Sequence, residues 1–339
     1  MGSPLVEVSG TGRLNLTMAV TDCDHLRDVV SGVVRPDGIL LTPIVLPVEE
    51  IFYRLIKNHE WHVSEMSFAK YLALMAAGAA QMVAIPVFPS RVFRHSAIYV
   101  RTDRGIAKPK DLEGKRIGIP EWAQTAGIYV RGFLEEQYGV DLRSISWVQA
   151  GVNQPGREEK VALNLEGLFN VTSRPDTSLD RMLRSGEIDA AISAREPDAF
   201  VKRDPHVARM FPKFREEEAV GYQATGVFPI MHVVVLRRDI YDAYPWIAMN
   251  LFKAFEQAKD RSIARMRDIT ATGIPLPWSA AITDEITEIF GGDLWPYGLA
   301  PNRRTLDAFC RYGFNQRATN RLVQAEELFA KETLASYKV

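Results

Sequence analysis

The run Pro86-Val-Phe-Pro-Ser-Arg-Val-Phe-Arg-His-Ser-Ala-Ile-Tyr-Val-Arg101 sets Arg91, Arg94, a histidine and serines against a strand-like apolar stretch that leaves them little freedom. A second run, Gly226-Val-Phe-Pro-Ile-Met-His-Val-Val-Val-Leu236, repeats the design with one histidine leading into an apolar segment. If the two runs lie side by side, His95 and His232 meet in one cleft. Histidine changes charge near neutral pH without a large shift, so both are candidates for proton transfer. Arg91 and Arg94 each offer a planar fork that grips a carboxylate through two hydrogen bonds, and Ser96 adds a hydroxyl beside them. The plainer reading gives one of these arginines a structural ion pair and makes a lone histidine beside a strand a hydrogen-bonded core residue.

Other candidates lie at ends of strand-like runs. Glu65-Met-Ser67 closes a short strand and opens a helix, so Ser67 and the first backbone amides can hold a ligand oxygen, or Ser67 can simply cap the helix. Pro120-Glu-Trp-Ala-Gln-Thr125 has the same form: amides near Gln124 and Thr125 suit a carboxylate, and Trp122 can stack on a ring. Arg195 follows the apolar run Asp189-Ala-Ala-Ile-Ser-Ala and is a further cation at a strand end. Asp24 or His25, in the turn Asp22-Cys-Asp-His25, is placed to touch a ligand hydroxyl, although an acidic helix start explains Asp24 too. His59 and His62 have a spacing that metals use, yet an exposed helix end accounts for it as well, and no metal site is expected. Trp295-Pro-Tyr-Gly298 reads chiefly as packing. No GxGxxG, P-loop, GxSxG or HExxH pattern occurs, which removes the common nucleotide, hydrolase and metalloprotease readings.

The elements that must position these groups alternate. Strand-like runs are expected at 14–20, 39–46, 63–66, 82–87, 97–100, 116–119, 144–148 and 190–193, with amphipathic helices at 47–59, 68–78, 123–138 and 178–186. Such alternation implies βαβ units and parallel sheets covered on both faces. After 233–236 the pattern turns helical, at 247–267, 284–290, 304–314 and 320–331. The expected organisation is a discontinuous first lobe, 1–101 and 228–339, with a second lobe, 102–227, inserted in it and a long loop at 151–175. In open α/β sheets ligands sit beyond the carboxyl ends of strands, so two such lobes face each other across a cleft.

A chain of 339 residues fits two lobes, and 47% hydrophobic with 24% charged residues is ordinary for a soluble globular protein. With 41 basic against 42 acidic residues there is no excess charge for nucleic acid or a membrane surface. Cys23 and Cys310 are distant and lack a CxxC spacing, so free thiols are expected. No apolar run reaches the roughly 18 to 20 residues of a membrane span. The start lacks a basic stretch followed by an apolar one, which points to a cytoplasmic protein. Its expected partner is a small molecule, and a homo-oligomer is compatible with the sequence.

Five segments carry a resemblance: Glu49-Glu-Ile-Phe-Tyr-Arg54, Glu65-Met-Ser67, Ile85 through Val100, Gly226-Val-Phe-Pro-Ile-Met-His232, and Trp295-Pro-Tyr-Gly-Leu299. From about Leu14 to Phe329 the sequence resembles the 4,5-dihydroxyphthalate decarboxylase family. The resemblance implies an α/β, two-lobed fold like type 2 periplasmic binding proteins, with a cleft between the lobes and extra C-terminal helices. It also implies a carboxy-lyase that uses no organic cofactor and acts on a small aromatic carboxylate, 4,5-dihydroxyphthalate, to give protocatechuate and CO2. In that chemistry His95 and His232 form the acid and base pair, in an order left open: one protonates the ring carbon and the other engages a phenol. Glu65 tunes a histidine or takes a phenolic proton. Arg91, Arg94 and Arg195 clamp carboxylates with help from Ser67 and Thr125. The alternative is a non-catalytic solute-binding protein of an ABC transporter for a small aromatic or anionic ligand. A non-decarboxylating isomerase or synthase on the same scaffold is a third reading.

Overall fold

The computed structural model describes residues 6–161, 163–271 and 273–334. Among these residues eleven strands form two sheets: β1 (Leu14–Val20), β2 (Ile39–Val45), β3 (Val63–Ser67), β4 (Met82–Ile85), β5 (Ile98–Arg101), β6 (Arg116–Ile119), β7 (Ser146–Gly151), β8 (Asn170–Ser178), β9 (Ala190–Ile192), β10 (Val207–Arg209) and β11 (His232–Arg237). The first sheet has the order β2-β1-β3-β11-β4 and the second β10-β5-β9-β6-β7-β8. In the first, β1 runs parallel to β2 and β3, while β11 is antiparallel to both of its neighbours. The middle of β11, Val233 to Leu236, is buried throughout, as expected for a strand covered on both faces.

Sheet membership shifts one expected boundary. Ile98–Arg101 pairs with β9 and β10, so this strand belongs to the second sheet rather than to the segment 1–101. The chain crosses between sheets after β4, and it returns just before β11. These two crossovers do lie side by side. Arg91 bridges Ile230, the Val92 amide donates to Pro229 O at 3.3 Å, and the Met231 amide donates to Ser90 O at 2.8 Å. Phe93 stacks on Phe228 with ring centroids 4.7 Å apart.

Helices cover the sheets as the apolar periodicity requires. Val48–Asn58 buries Ile51 and Leu55, and His59 ends it in the left-handed conformation. Phe68–Ala76 and Thr125–Glu136 start at the two lobes' facing edges. Helix Leu299–Asn315 packs against both: Phe309 stacks on Phe68 at 4.7 Å and on Tyr129 at 4.5 Å. Residues 320–331, expected as helix, form only the 3-10 turn Ala325–Leu328 before Phe329 bridges Ala84 at the edge of the first sheet. The long segment after β7 is a loop only in part, since 170–178 forms β8. Helix Phe214–Thr225 and strand β10 had no clear apolar period to announce them. No helix among the described residues is long and apolar enough to cross a membrane.

Candidate active site

A cleft of about 1830 Å³ opens between the sheets, lined from the first lobe by Phe52, Ser67 and His232 and from the second by Gln124, Thr125 and Arg195. Antiparallel pairing of β3 with β11 sets Ser67 directly opposite His232 and puts Glu65 one pleat further along the same face. His232 Nδ1 lies 2.5 Å from Glu65 Oε1. The other carboxylate oxygen of Glu65 accepts from the Thr21 amide at 2.8 Å and the Thr21 hydroxyl at 2.6 Å.

Glu65 is fully buried. Burial alone pushes its carboxyl up, but the hydrogen bond and charge of His232 and the two donations from Thr21 outweigh this and hold it below the usual range. An ionised carboxylate only accepts hydrogen bonds, so His232 donates through Nδ1 and its Nε2 is the ring nitrogen left for the cleft. Phe52 meets the imidazole edge-on at 5.0 Å and limits its rotation.

Arg94 supplies the cation. Its Nε donates to Met231 Sδ at 3.3 Å, and among the described residues no carboxylate pairs with its guanidinium. Burial pushes it down to about 10, with the Glu218 charge acting in the opposite direction, so it stays charged at neutral pH. A partly buried guanidinium that lines a cleft without an acidic partner is poised for an anionic ligand.

Across the cleft, helix Thr125–Glu136 begins at Gln124, whose side chain does not cap it, and the helix start, Gln124 to Ala126, lines the cleft. Thr125 Oγ accepts from the Ala69 amide at 3.1 Å and lies 3.2 Å from Ser67 Oγ, which brings the two lobes' helix starts into contact. Ser67 therefore does not cap its own helix. Beside them Lys70 of the first lobe and Arg157 of the second converge on buried Glu121, at 3.1 and 2.7 Å. Neither Lys70 nor Glu121 stood out in the sequence, where a lysine on a helix and a glutamate after a strand read as solvated. Arg195 lines the cleft but reaches over it to Glu49 at 3.0 Å, so it bridges the lobes.

Several expected site residues point elsewhere. His95 does not meet His232: it is stacked on Phe133 at 4.1 Å, flanked by Tyr138 and Phe211, and both ring nitrogens lack hydrogen-bond partners. Arg94 and His95 are successive residues at a bend, so one faces the cleft and the other the second lobe's aromatic core. Desolvation pushes His95 down to about 4. Ser96 presents its backbone to Glu218 and Arg209 rather than a hydroxyl to the cleft.

Arg91 is a buried brace whose Nη1 and Nη2 donate to Pro296 O and Phe228 O, 2.9 and 2.8 Å away, with the guanidinium 4.2 Å from the Phe228 ring centre. It forms no ion pair among the described residues, and burial lowers it to about 9. Trp122 cannot stack on a ligand, because Arg131 covers its face at 4.0 Å and its Nε1 donates to Gln316 O. Asp24 binds Ser262 and Arg265 and anchors helix Trp246–Arg267. His62 is taken by the Thr17 amide, and among the described residues no three His, Cys, Asp or Glu side chains converge as a metal site. Trp295 donates to Phe88 O, in keeping with a packing role.

Comparison with known proteins agrees with this architecture. Residues 43–198 match the family described as ABC transporter, phosphonate, periplasmic substrate-binding protein. A 4,5-dihydroxyphthalate decarboxylase of Comamonas testosteroni is 38% identical over 328 residues, 96% of this chain and 99% of that protein. A second, from Pseudomonas putida, is 42% identical over 59% of this chain and 78% of its own. The periplasmic aliphatic sulphonate binding protein SsuA from Escherichia coli shares the fold at a TM-score of 0.53 with 11% identity, over 94% of this chain and 98% of its own. The chain belongs to the 4,5-dihydroxyphthalate decarboxylase family.

Proposed function

We propose that this family member is a carboxy-lyase that removes CO2 from 4,5-dihydroxyphthalate and leaves 3,4-dihydroxybenzoate (protocatechuate). The observation that carries the reading is the joint presence, in one cleft, of the His232–Glu65 pair and an Arg94 guanidinium with no acidic partner among the described residues.

In the proposed reaction Arg94 holds one carboxylate, and the first amides of helix Thr125–Glu136 with the Ser67 and Thr125 hydroxyls hold the ring's acid edge. His232 Nε2, carrying a proton, delivers it to the ring carbon that bears the departing carboxylate. The hydroxyl para to that carbon feeds electron density into the ring and stabilises the protonated intermediate. The carbon–carboxylate bond then breaks, its electron pair restores the aromatic ring, and CO2 leaves. One proton is consumed for each CO2 released, and His232 regains it from water. Glu65 stabilises the imidazolium between turnovers and fixes the ring so that Nε2 faces the substrate. Phe52 and Met231 give the departing carboxylate a poorly solvating wall, which favours loss of its charge. His95 has no part in this route. We place the enzyme in the cytoplasm, with a small aromatic dicarboxylate as its partner and no organic cofactor in the route.

The test is incubation with 4,5-dihydroxyphthalate in D2O. Release of CO2 together with 3,4-dihydroxybenzoate carrying one deuterium at the vacated carbon is the expected result. Saturable binding of the acid without CO2 would instead favour the solute-binding reading.

A further inference from the structure

Most basic side chains of the cleft are already matched by acids. Lys70 and Arg157 converge on Glu121, with Lys160 3.6 Å from it, and Arg195 meets Glu49. Of the arginines lining the cleft, Arg94 and Arg317 are left with no carboxylate partner among the described residues. Arg317 is exposed and lines the cleft.

The backbone at Arg317 is unusual for an arginine. Helix Leu299–Asn315 ends in a Schellman turn: the Ala318 amide donates to Gly313 O at 2.9 Å and the Arg317 amide to Phe314 O at 3.0 Å. Arg317 occupies the left-handed position of that turn, at φ 59°, where glycine is the usual occupant because a Cβ is strained there. Among the described residues three other non-glycine positions have positive φ, His59, Arg203 and Trp278, and none of them lines the cleft.

The turn is also rigidly sited. Gln316, just before Arg317, is buried; its side chain accepts from Arg131 Nε at 2.8 Å and donates to Ile128 O at 2.9 Å, and its carbonyl accepts from Trp122 Nε1 at 2.7 Å. The Arg317 backbone is thus fixed to the helix that begins at Thr125, while its guanidinium stays in solvent. The turn itself needs no arginine.

We propose that Arg317 is an anion-capture residue of the cleft, engaging one carboxylate of the incoming aromatic dianion before Arg94 and the Thr125 helix take it over. This rests on the decarboxylase reading for the identity of the dianion. The chemistry gives such a residue a direction, because the substrate enters with two carboxylates and the product leaves with one. An unpaired cation in the cleft therefore attracts substrate more strongly than product.

Arg317→Gly separates this role from a structural one, since glycine suits the left-handed turn. The variant is expected to melt at or above the parent temperature, to keep kcat within about twofold, and to lose about fivefold in kcat/KM at low ionic strength. That loss should shrink in concentrated salt, where exposed charges are screened, and Arg317→Lys should recover much of it. Direct titration with phthalate, a dianion without ring hydroxyls, reads the same property without turnover, and Arg317→Gly should weaken its binding several-fold. If the parent binds phthalate but releases no CO2 from 4,5-dihydroxyphthalate, the decarboxylase reading falls while the capture role stands on the titration. The capture role is overturned if Arg317→Gly leaves both kcat/KM and phthalate affinity unchanged, if Lys and Gly variants lose equally, or if the parent does not bind phthalate.

Discussion

Nδ1 of His232 sits 2.5 Å from Oε1 of Glu65, a carboxylate held on its other oxygen by Thr21. Two strands of opposite direction create the pair, so its geometry belongs to the sheet and not to a mobile loop. Replacing His232 with alanine should leave substrate binding within a few-fold, because the binding groups lie on other elements. Turnover should fall at least about a hundredfold, the usual scale of general acid catalysis. Steady-state kinetics together with a binding titration checks both halves, and unchanged turnover removes His232 from the mechanism.

Glu65→Gln keeps the size of the side chain but removes its charge. Turnover should drop by about tenfold or more, and the double variant with His232→Ala should be little worse than His232→Ala alone, because the two act as one unit. Additive losses in that cycle would mean that Glu65 acts on something other than His232.

Arg94 and Arg195 line the same cleft and should behave differently. Arg94 is partly buried and has no acidic partner among the described residues, whereas the Arg195–Glu49 pair has side chains 71% and 63% exposed. Removing a charged hydrogen-bond donor from a ligand costs about 1.5–3 kcal/mol, so Arg94→Met should raise the dissociation constant roughly ten- to hundredfold. An exposed ion pair contributes less than about 1 kcal/mol, so Arg195→Ala should change affinity by less than about fivefold. The reverse order of effects, measured by calorimetric titration, would move the carboxylate anchor to Arg195.

Much of the scaffold was legible because periodic burial writes itself into residue type. The limits of β1 and β6 were read to the residue, and the two crossover runs, whose shared design raised the condition that they lie side by side, do so. Glu65, Ser67, Arg94, Thr125 and His232 all border the cleft or the pair within it. What failed was direction in the crossovers. A strand alternates its side chains predictably, but 86–97 has no regular period, and nothing in residue type decides that Arg94 turns to the cleft while Arg91 and His95 turn to cores. Trp122 and Asp24 misled for another reason. Their partners, Arg131 and Gln316 for one and Ser262 and Arg265 for the other, include residues far along the chain.

Arg91 ties the crossovers to the C-terminal region through Phe228 O and Pro296 O. Arg91→Ala would strand a buried carbonyl at Phe228 and a part-buried one at Pro296 and open a cavity beside Phe228, for a loss of about 3–5 kcal/mol in unfolding free energy. Denaturant unfolding of the variant checks this. A loss under about 1 kcal/mol would show that Arg91 is dispensable as a brace, and a large rise in KM without loss of stability would return it to the binding site.

His95 should make the fold sensitive to mild acid without any part in catalysis. Its imidazole is buried among Phe133, Tyr138 and Phe211, and the facing charges are Glu218, 3.9 Å from Nδ1, and neighbouring Arg94. Desolvation lowers it from 6.5 to about 4, so between those values the unfolded chain binds a proton that the folded chain refuses. The stability due to neutral His95 is therefore fully present above pH 6.5, declines as the pH falls toward 4, and levels off below, a span of about 3 kcal/mol. Burial raises Glu218, with the His95 and Ser96 amides opposing. Its folded form thus takes up a proton more readily, which offsets part of the decline. His95→Phe keeps the ring stacking and removes the titrating group. Unfolding free energies measured at pH 7 and pH 4.5 should differ less in the variant than in the parent, while turnover at pH 7 stays within a few-fold. Equal pH dependence in both proteins would mean that His95 takes up its proton over the same pH range in the folded chain as in the unfolded one, and a collapse of turnover would put it back beside the substrate.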